Sequence, residues 1–446
     1  MPRCIDPKRT GKRAVTTPRV AYLNARLLDP ESSLDTLGAL LIEDGKIADF
    51  GAELFKDGAP SVSEVIDCKG HCLAPGLVDM RVQLREPGEE HKETIETACH
   101  AAAAGGVTTM VALPNTTPVI DDVSVVEFMH RRANDAGAVK IRCYGSVTRG
   151  TKGEQLTEMG LLADAGAVAF TDGIRAVADT MVMRRALSYA RGFGLMIAQH
   201  PEDPNLANGG VMNEGEIASR LGLPGIPGAA EVIMVERDLR LTELTAGRYH
   251  AAHVSTRGAV EAIRRTKAKG LDVTCDTAPH YFALNETSVG DYRTFAKVSP
   301  PLRSEDDRKA VVEGLADGTI DAVASDHTPS DQDSKRLPFA QAEFGIVGLE
   351  TLLTLTLEPF HNGEIPLLDA LAKITLNPAQ ILSLNSGRLK RGAAADLVLF
   401  NADMPWRIEE DGFRSKSKNT PFDGRPVQGR VLETLVNGRS VYKFAA

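Results

Sequence analysis

The sequence has no Cys-x-x-Cys pair, no Gly-x-Gly-x-x-Gly loop and no apolar run of the ~18 residues that a membrane-spanning helix needs. The first absence, with no secretory signal, makes its six cysteines reduced thiols of a cytoplasmic protein. Cys68 and Cys72 stand four apart with His71 between them, but no fourth ligand sits nearby to complete a zinc site. The second absence leaves Gly105-Gly106 as a helix-to-strand turn and not a phosphate loop. The charge imbalance is also small: a net −9 over 446 residues gives no reason to expect a nucleic-acid or membrane partner. Residues 1–18 are basic and lack the apolar centre of a targeting peptide, so they read as a disordered tail.

What is present is ordinary globular material, 43% hydrophobic and 25% charged, enough to bury a sizeable core. The length of 446 exceeds the ~250 residues of a bare α/β barrel, leaving room for a second domain. From about Arg19 to Cys72 short β-like runs alternate with turns, including the hairpin signal Asp44-Gly45. A similar pattern returns near the end, with Asp396–Phe400, Val431–Val436 and then Asn437-Gly438. The two ends predict one small β-sandwich domain over 19–72 and 388–446.

Between them, over 73–387, eight apolar segments recur near 77–83, 107–113, 140–147, 167–172, 195–200, 249–255, 272–279 and 321–326. Several are apolar on both faces, as buried parallel strands are. Helix-like stretches such as Thr94–Ala104 and Arg308–Leu315 fill the gaps, which predicts an α/β fold with a closed (β/α)₈ TIM-type barrel. In that architecture chemistry gathers at the C-terminal strand ends. Here those ends carry Arg81, Gln83, Arg85, Asn115, Asp172, His200, His253, His280, Asp326 and His327. Two imidazoles, His200 and His253, with the carboxylate of Asp326, suit a divalent transition metal and an acid/base partner. Among the others, His91 reads as solvated. His280 reads as pocket-lining or held by a structural hydrogen bond. His327 points away from Asp326 by strand alternation.

Several motifs resemble dihydroorotase of the long bacterial-type class, an amidohydrolase. They are Ala74–Asp79, Arg85-Glu86-Pro87-Gly88, Lys92–Glu96, Pro114–Pro118, Pro300–Arg303, Asp317–Asp321, Phe344–Gly348, Gly387–Gly392 and Asn419–Phe422, and the match runs from about 19 to 445. The resemblance implies interconversion of carbamoyl-aspartate and dihydroorotate in pyrimidine biosynthesis, at two zinc ions bridged by a hydroxide. It implies Asp326 as the proton relay, and Arg85 with Asn115 as holders of the substrate carboxylate. His200 and His253 fall at metal-ligand positions.

The sequence departs from the family where metals bind. The strand-one His-x-His is Arg81 and Gln83 here, and the bridging Asp after Asp172 is Gly173. The family's Asn before Pro-Pro-Leu-Arg is Ser299, and the closing His of its Asp-His-Ala-Pro-His loop is Ser330. Arginine stays protonated and has no lone pair to donate. The expectation is therefore at most one zinc and no binuclear centre, in a chain whose catalysis is impaired or lost. Such a chain is expected to serve as a structural partner of aspartate transcarbamoylase and to form homo-oligomers. A candidate contact is the segment Asp331–Gln341, with Leu337, Pro338 and Phe339 amid charges. If Arg85 no longer clamps a ligand, Asp172 or Glu86 is its expected internal partner. The alternative is a one-metal dihydroorotase or related cyclic amidohydrolase using His200 and His253, with Asp172 or water completing the sphere and Asp326 as base.

Overall fold

The computed structural model describes residues 19–445 except 57 and 59–61; the basic start at 1–18 lies outside the described residues. Strands from both ends pair in a single eight-stranded sheet. Val20–Asp29, Leu34–Glu43, Lys46–Gly51, Glu64–Asp67 and Cys72–Pro75 come from the first part, and Leu397–Arg407, Pro426–Val436 and Arg439–Lys443 from the last. The seam is antiparallel, with Leu399 opposite Leu73 and Leu397 opposite Pro75. Alternation explains the packing: Leu27, Leu40, Ile42, Leu73, Leu397 and Leu399 turn to one face and form its core. Cys68 and Cys72 are buried free thiols, and burial pushes them up to about 12 and about 11.

The second eight-stranded sheet is parallel. Its strands are Leu77–Val82, Val107–Ala112, Lys140–Gly145, Ala167–Phe170, Met196–Gln199, Arg248–Ala251, Val273–Thr277 and Ala322–Val323, each beside the next. The ring closes where Val82 pairs with His327 and Gln83 N donates to His327 O at 2.9 Å. Met80, Val111, Tyr144, Ala169, Met196 and Ala322 cluster inside it, so the barrel is filled and not a pore. The outer core packs between strands and helices. Capping side chains start those helices: Thr94 accepts from Thr97 N ahead of Ile95–Ala104, and Ser304 from Asp307 N ahead of Glu305–Ala316. No helix among the described residues is long and apolar enough to cross a membrane.

Candidate functional site at the barrel mouth

A cavity of about 610 Å³ opens at the C-terminal ends of the strands, lined by Arg81, Gln83, Arg85, Asn115, Asp326 and charged neighbours. Arg81 closes its floor. Its Nε donates to Asp326 Oδ1 at 2.8 Å and its Nη2 to Gly173 O at 3.4 Å, and both charged side chains are nearly inaccessible. The first and eighth strands thus meet through an ion pair. Burial raises the Asp326 carboxyl above its ordinary range, and Arg81 pulls against that rise. Asp79, fully buried next to this pair, is pushed up by burial to about 7.

Gln83 spends both amide ends on protein. Nε2 donates to Thr328 Oγ1 at 2.9 Å, and Oε1 accepts from Asn115 Nδ2 at 3.0 Å. Gly173 has φ +71°, and a Cβ there would stand 2.8 Å from Asn115 Oδ1. A carboxylate at this position would need both a left-handed backbone and a displaced Asn115.

His200 and His253, 53 positions apart, meet at 2.7 Å between Nδ1 and Nε2. One nitrogen must carry the shared proton and the other must accept it. Burial, with Arg81 and His200 nearby, drives His253 well below the usual histidine range, so it is neutral. Its backbone N donates to Asp276 Oδ1 at 2.6 Å, and Asp276 Oδ2 also meets His250 Nε2 at 2.8 Å. Glu202 stands 3.5 Å from His200 Nε2 and accepts from Ser299 Oγ at 3.1 Å. Glu202, Asp276 and His250 carry no sequence signal that separates them from other strand-end polar residues.

The structure corrects three expectations. Asp172 does not turn toward the imidazoles: it accepts from Thr148 N at 2.9 Å and from the Thr148 hydroxyl, so it caps a loop. Arg85 is held by Glu89, at 2.7 Å, and by Pro329 O, at 2.9 Å, and not by Asp172 or Glu86; Glu86 pairs with Arg132 instead. His280 is wholly buried against the Tyr281 ring, and neither nitrogen has a partner among the described residues, so no structural hydrogen bond holds it. Burial alone lowers it to about 3. In the 331–341 segment Phe339 is buried in a cluster with Met212 and Val289, which leaves Leu337 as its exposed apolar residue. Two readings agree with the geometry. His91 is mostly exposed, and His327 faces outward, accepting from Gly348 N at 3.1 Å with Glu93 3.6 Å away.

Chemically, the mouth offers cations on one side and the paired imidazoles of His200 and His253 on the other. Arg85 keeps Nη2 unspent, while its Nε and Nη1 are engaged. Asn115 keeps its acceptor Oδ1 and the second N–H of Nδ2. Among the described residues no group of three or more His, Cys, Asp or Glu side chains is arranged to hold a metal ion.

Comparison with known proteins agrees with this architecture. The Dihydro-orotase-like family model matches residues 70–259, and an Amidohydrolase family model matches 347–442. The Dihydroorotase of Wolbachia sp. subsp. Drosophila simulans is 50% identical over 425 residues, covering 95% of this chain and 96% of that protein. The Dihydroorotase of Syntrophotalea carbinolica is 46% identical over 427 residues, covering 96% and 100%. Among solved structures, the L-hydantoinase (dihydropyrimidinase) of Arthrobacter aurescens superposes with a TM-score of 0.84 at 26% identity, covering 95% of this chain and 96% of that one.

Proposed function

The chain belongs to the dihydroorotase family, and from that membership we propose that it is a pyrimidine-biosynthesis protein whose hydrolytic centre has been replaced. In this reading the barrel mouth holds a small carboxylate without turning it over. The chain acts as a structural partner of aspartate transcarbamoylase in the cytoplasm, assembled as a homo-oligomer.

The Arg81–Asp326 pair carries the proposal. Metals of the family's kind need lone pairs from strand one and a bridging carboxylate held between them. Here strand one offers a guanidinium and an amide already bonded at both ends, position 173 offers no side chain, and Asp326 is neutralised by Arg81. This donor set does not fit a two-metal centre. A fixed positive charge in its place repels a second cation, and the residue that would relay a proton is committed to an ion pair.

The test measures metal by elemental analysis and ring hydrolysis by the purified chain, with and without added zinc. We expect fewer than two ions per chain, no turnover of dihydroorotate or carbamoyl-aspartate above buffer, and co-elution with the transcarbamoylase of the same cell. Two ions, or turnover abolished by Asp326→Asn without co-elution, would refute the proposal. One specific observation favours the one-metal enzyme instead: His200 and His253 converge to 2.7 Å at adjacent strand ends. One ion per chain, lost in His200→Ala, together with turnover would establish that reading.

Retained carboxylate binding is tested separately. Arg85 can still offer one edge to an acid, and a charge-assisted hydrogen bond of that kind is worth about tenfold in affinity. Calorimetry with dihydroorotate should show weak binding by the wild type that drops about tenfold in Arg85→Ala. Equal affinity in both proteins, or none in the wild type, removes the clamp from the proposal.

A further inference from the structure

A second cavity, of about 400 Å³, lies where the last strands of the terminal sheet meet the barrel. It borders Ala104, the last residue of the helix after strand one. It shares no lining residue with the mouth cavity. At its wall Arg430 is pressed between two aromatic rings, its Cζ 4.5 Å from the Trp406 ring centroid and 4.3 Å from that of Phe444. The Trp406 ring is held by Nε1 donating to Gly429 O at 2.9 Å, and the Phe444 main chain by its N donating to Leu432 O at 2.8 Å.

This arrangement packs two rings against the guanidinium carbon and occupies none of its N–H groups. Among the described residues those groups have neither a carboxylate nor a hydrogen-bond acceptor. A guanidinium held this way has already lost its side-chain freedom, so an anion meeting its edge forms a two-pronged contact at little further entropic cost. Arg414 and Lys443 line the same cavity, and neither makes an ion pair among the described residues. The opposing carboxylates weaken this field only in part. Glu409 is exposed, and Glu350 is pushed by burial up to about 7 while accepting from Arg414 N and Ser415 N. The floor is apolar, formed by Leu353, Phe413 and Val431, and 400 Å³ falls within the roughly 300–1,000 Å³ of small-molecule sites.

We propose that this cavity binds a small phosphate monoester, with Arg430 gripping the phosphoryl group edge-on, Arg414 and Lys443 adding charge, and the apolar floor receiving the organic part. Three cations lining one cavity suit a group carrying close to two negative charges better than a single carboxylate. The floor suits an ester better than free phosphate.

Calorimetry on the full chain at low salt tests this with adenosine 5′-monophosphate, adenosine and inorganic phosphate as probes. The nucleotide should bind, phosphate more weakly, and adenosine not measurably. Arg430→Gln should weaken nucleotide binding about tenfold or more. Lys443→Gln, at an exposed position that leaves the rings in place, should weaken it about threefold with an unchanged melting temperature. Arg85→Ala, in the other cavity, should leave it unchanged. Phosphate binding as tightly as the nucleotide would keep the phosphoryl site and assign it to the free ion. No binding of either phosphate compound at millimolar concentration, adenosine binding as well as its monophosphate, or equal affinity in wild type and both variants would overturn the proposal. None of these outcomes depends on whether the barrel mouth hydrolyses a ring.

Discussion

Arg81→Ala should lower the free energy of unfolding by about 3–5 kcal/mol, because it leaves a buried carboxylate without its counter-ion. Asp326 is 6% exposed, and the Arg81 guanidinium is its ion-pair partner at 2.8 Å. Asp79, fully buried, accepts from Arg81 N at 3.2 Å and feels the Asp326 charge, so a second buried acid adjoins the one left without its counter-ion. The sign of the pH dependence follows. Burial already raises the folded-state value of Asp326, and removing Arg81 raises it further. A carboxyl raised on folding favours the folded chain while protonated, and that advantage is lost as pH climbs through the raised value. The gap between wild type and Arg81→Ala should therefore narrow at pH 5 and widen at pH 8. Denaturant unfolding at the two pH values measures it. Arg81→Met combined with Asp326→Leu, which removes both charges at similar volume, should recover most of the loss. A cost below about 1 kcal/mol that is the same at both pH values would mean that the pair is solvated and closes nothing.

Glu231→Leu should cost a comparable amount, about 3–5 kcal/mol, through a different route. Glu231 lies wholly buried in the first turn of the helix Ala229–Thr245. Its carboxylate accepts from Ser255 N at 3.0 Å, Thr256 N at 2.9 Å, Thr256 Oγ1 at 2.8 Å and the Ser255 hydroxyl. Arg303, also buried, stands 3.8 Å away. Removing the acid strands two main-chain donors and a guanidinium in a place water does not reach. The segment it ties down follows His253, whose φ of +38° is held by the same loop, so the imidazole pair should loosen with it. Thermal unfolding checks the stability loss, with Glu243→Gln, exposed on the same helix, expected to change it by less than about 0.5 kcal/mol. A Glu231→Leu protein as stable as the control would show that the loop donors find other acceptors.

Much of this protein could be read from short windows. The eight barrel strands start and end close to where apolar runs and turns place them, because a strand buried on both faces needs a run of that kind wherever it lies. The chemistry of positions 81, 83 and 173 was equally plain: a guanidinium cannot ligate zinc in any fold, and a glycine has no carboxylate to bridge with. Partners were not legible. Arg81 and Asp326 are 245 residues apart, and only closure of the barrel, with Val82 beside His327, brings them together. Arg85 matched a carboxylate clamp by motif, yet its backbone at φ +63° sends the side chain to Glu89 and Pro329. Phe339 stands amid charges in the candidate contact segment Asp331–Gln341 and is buried. Trp406 and Arg430 come from adjacent strands and Phe444 follows the last strand, and no spacing along the chain announces their contact. Residue chemistry and local periodicity belong to the sequence itself. Which charge neutralises which, and which donor is left unspent, depends on distances that exist only after distant segments have packed.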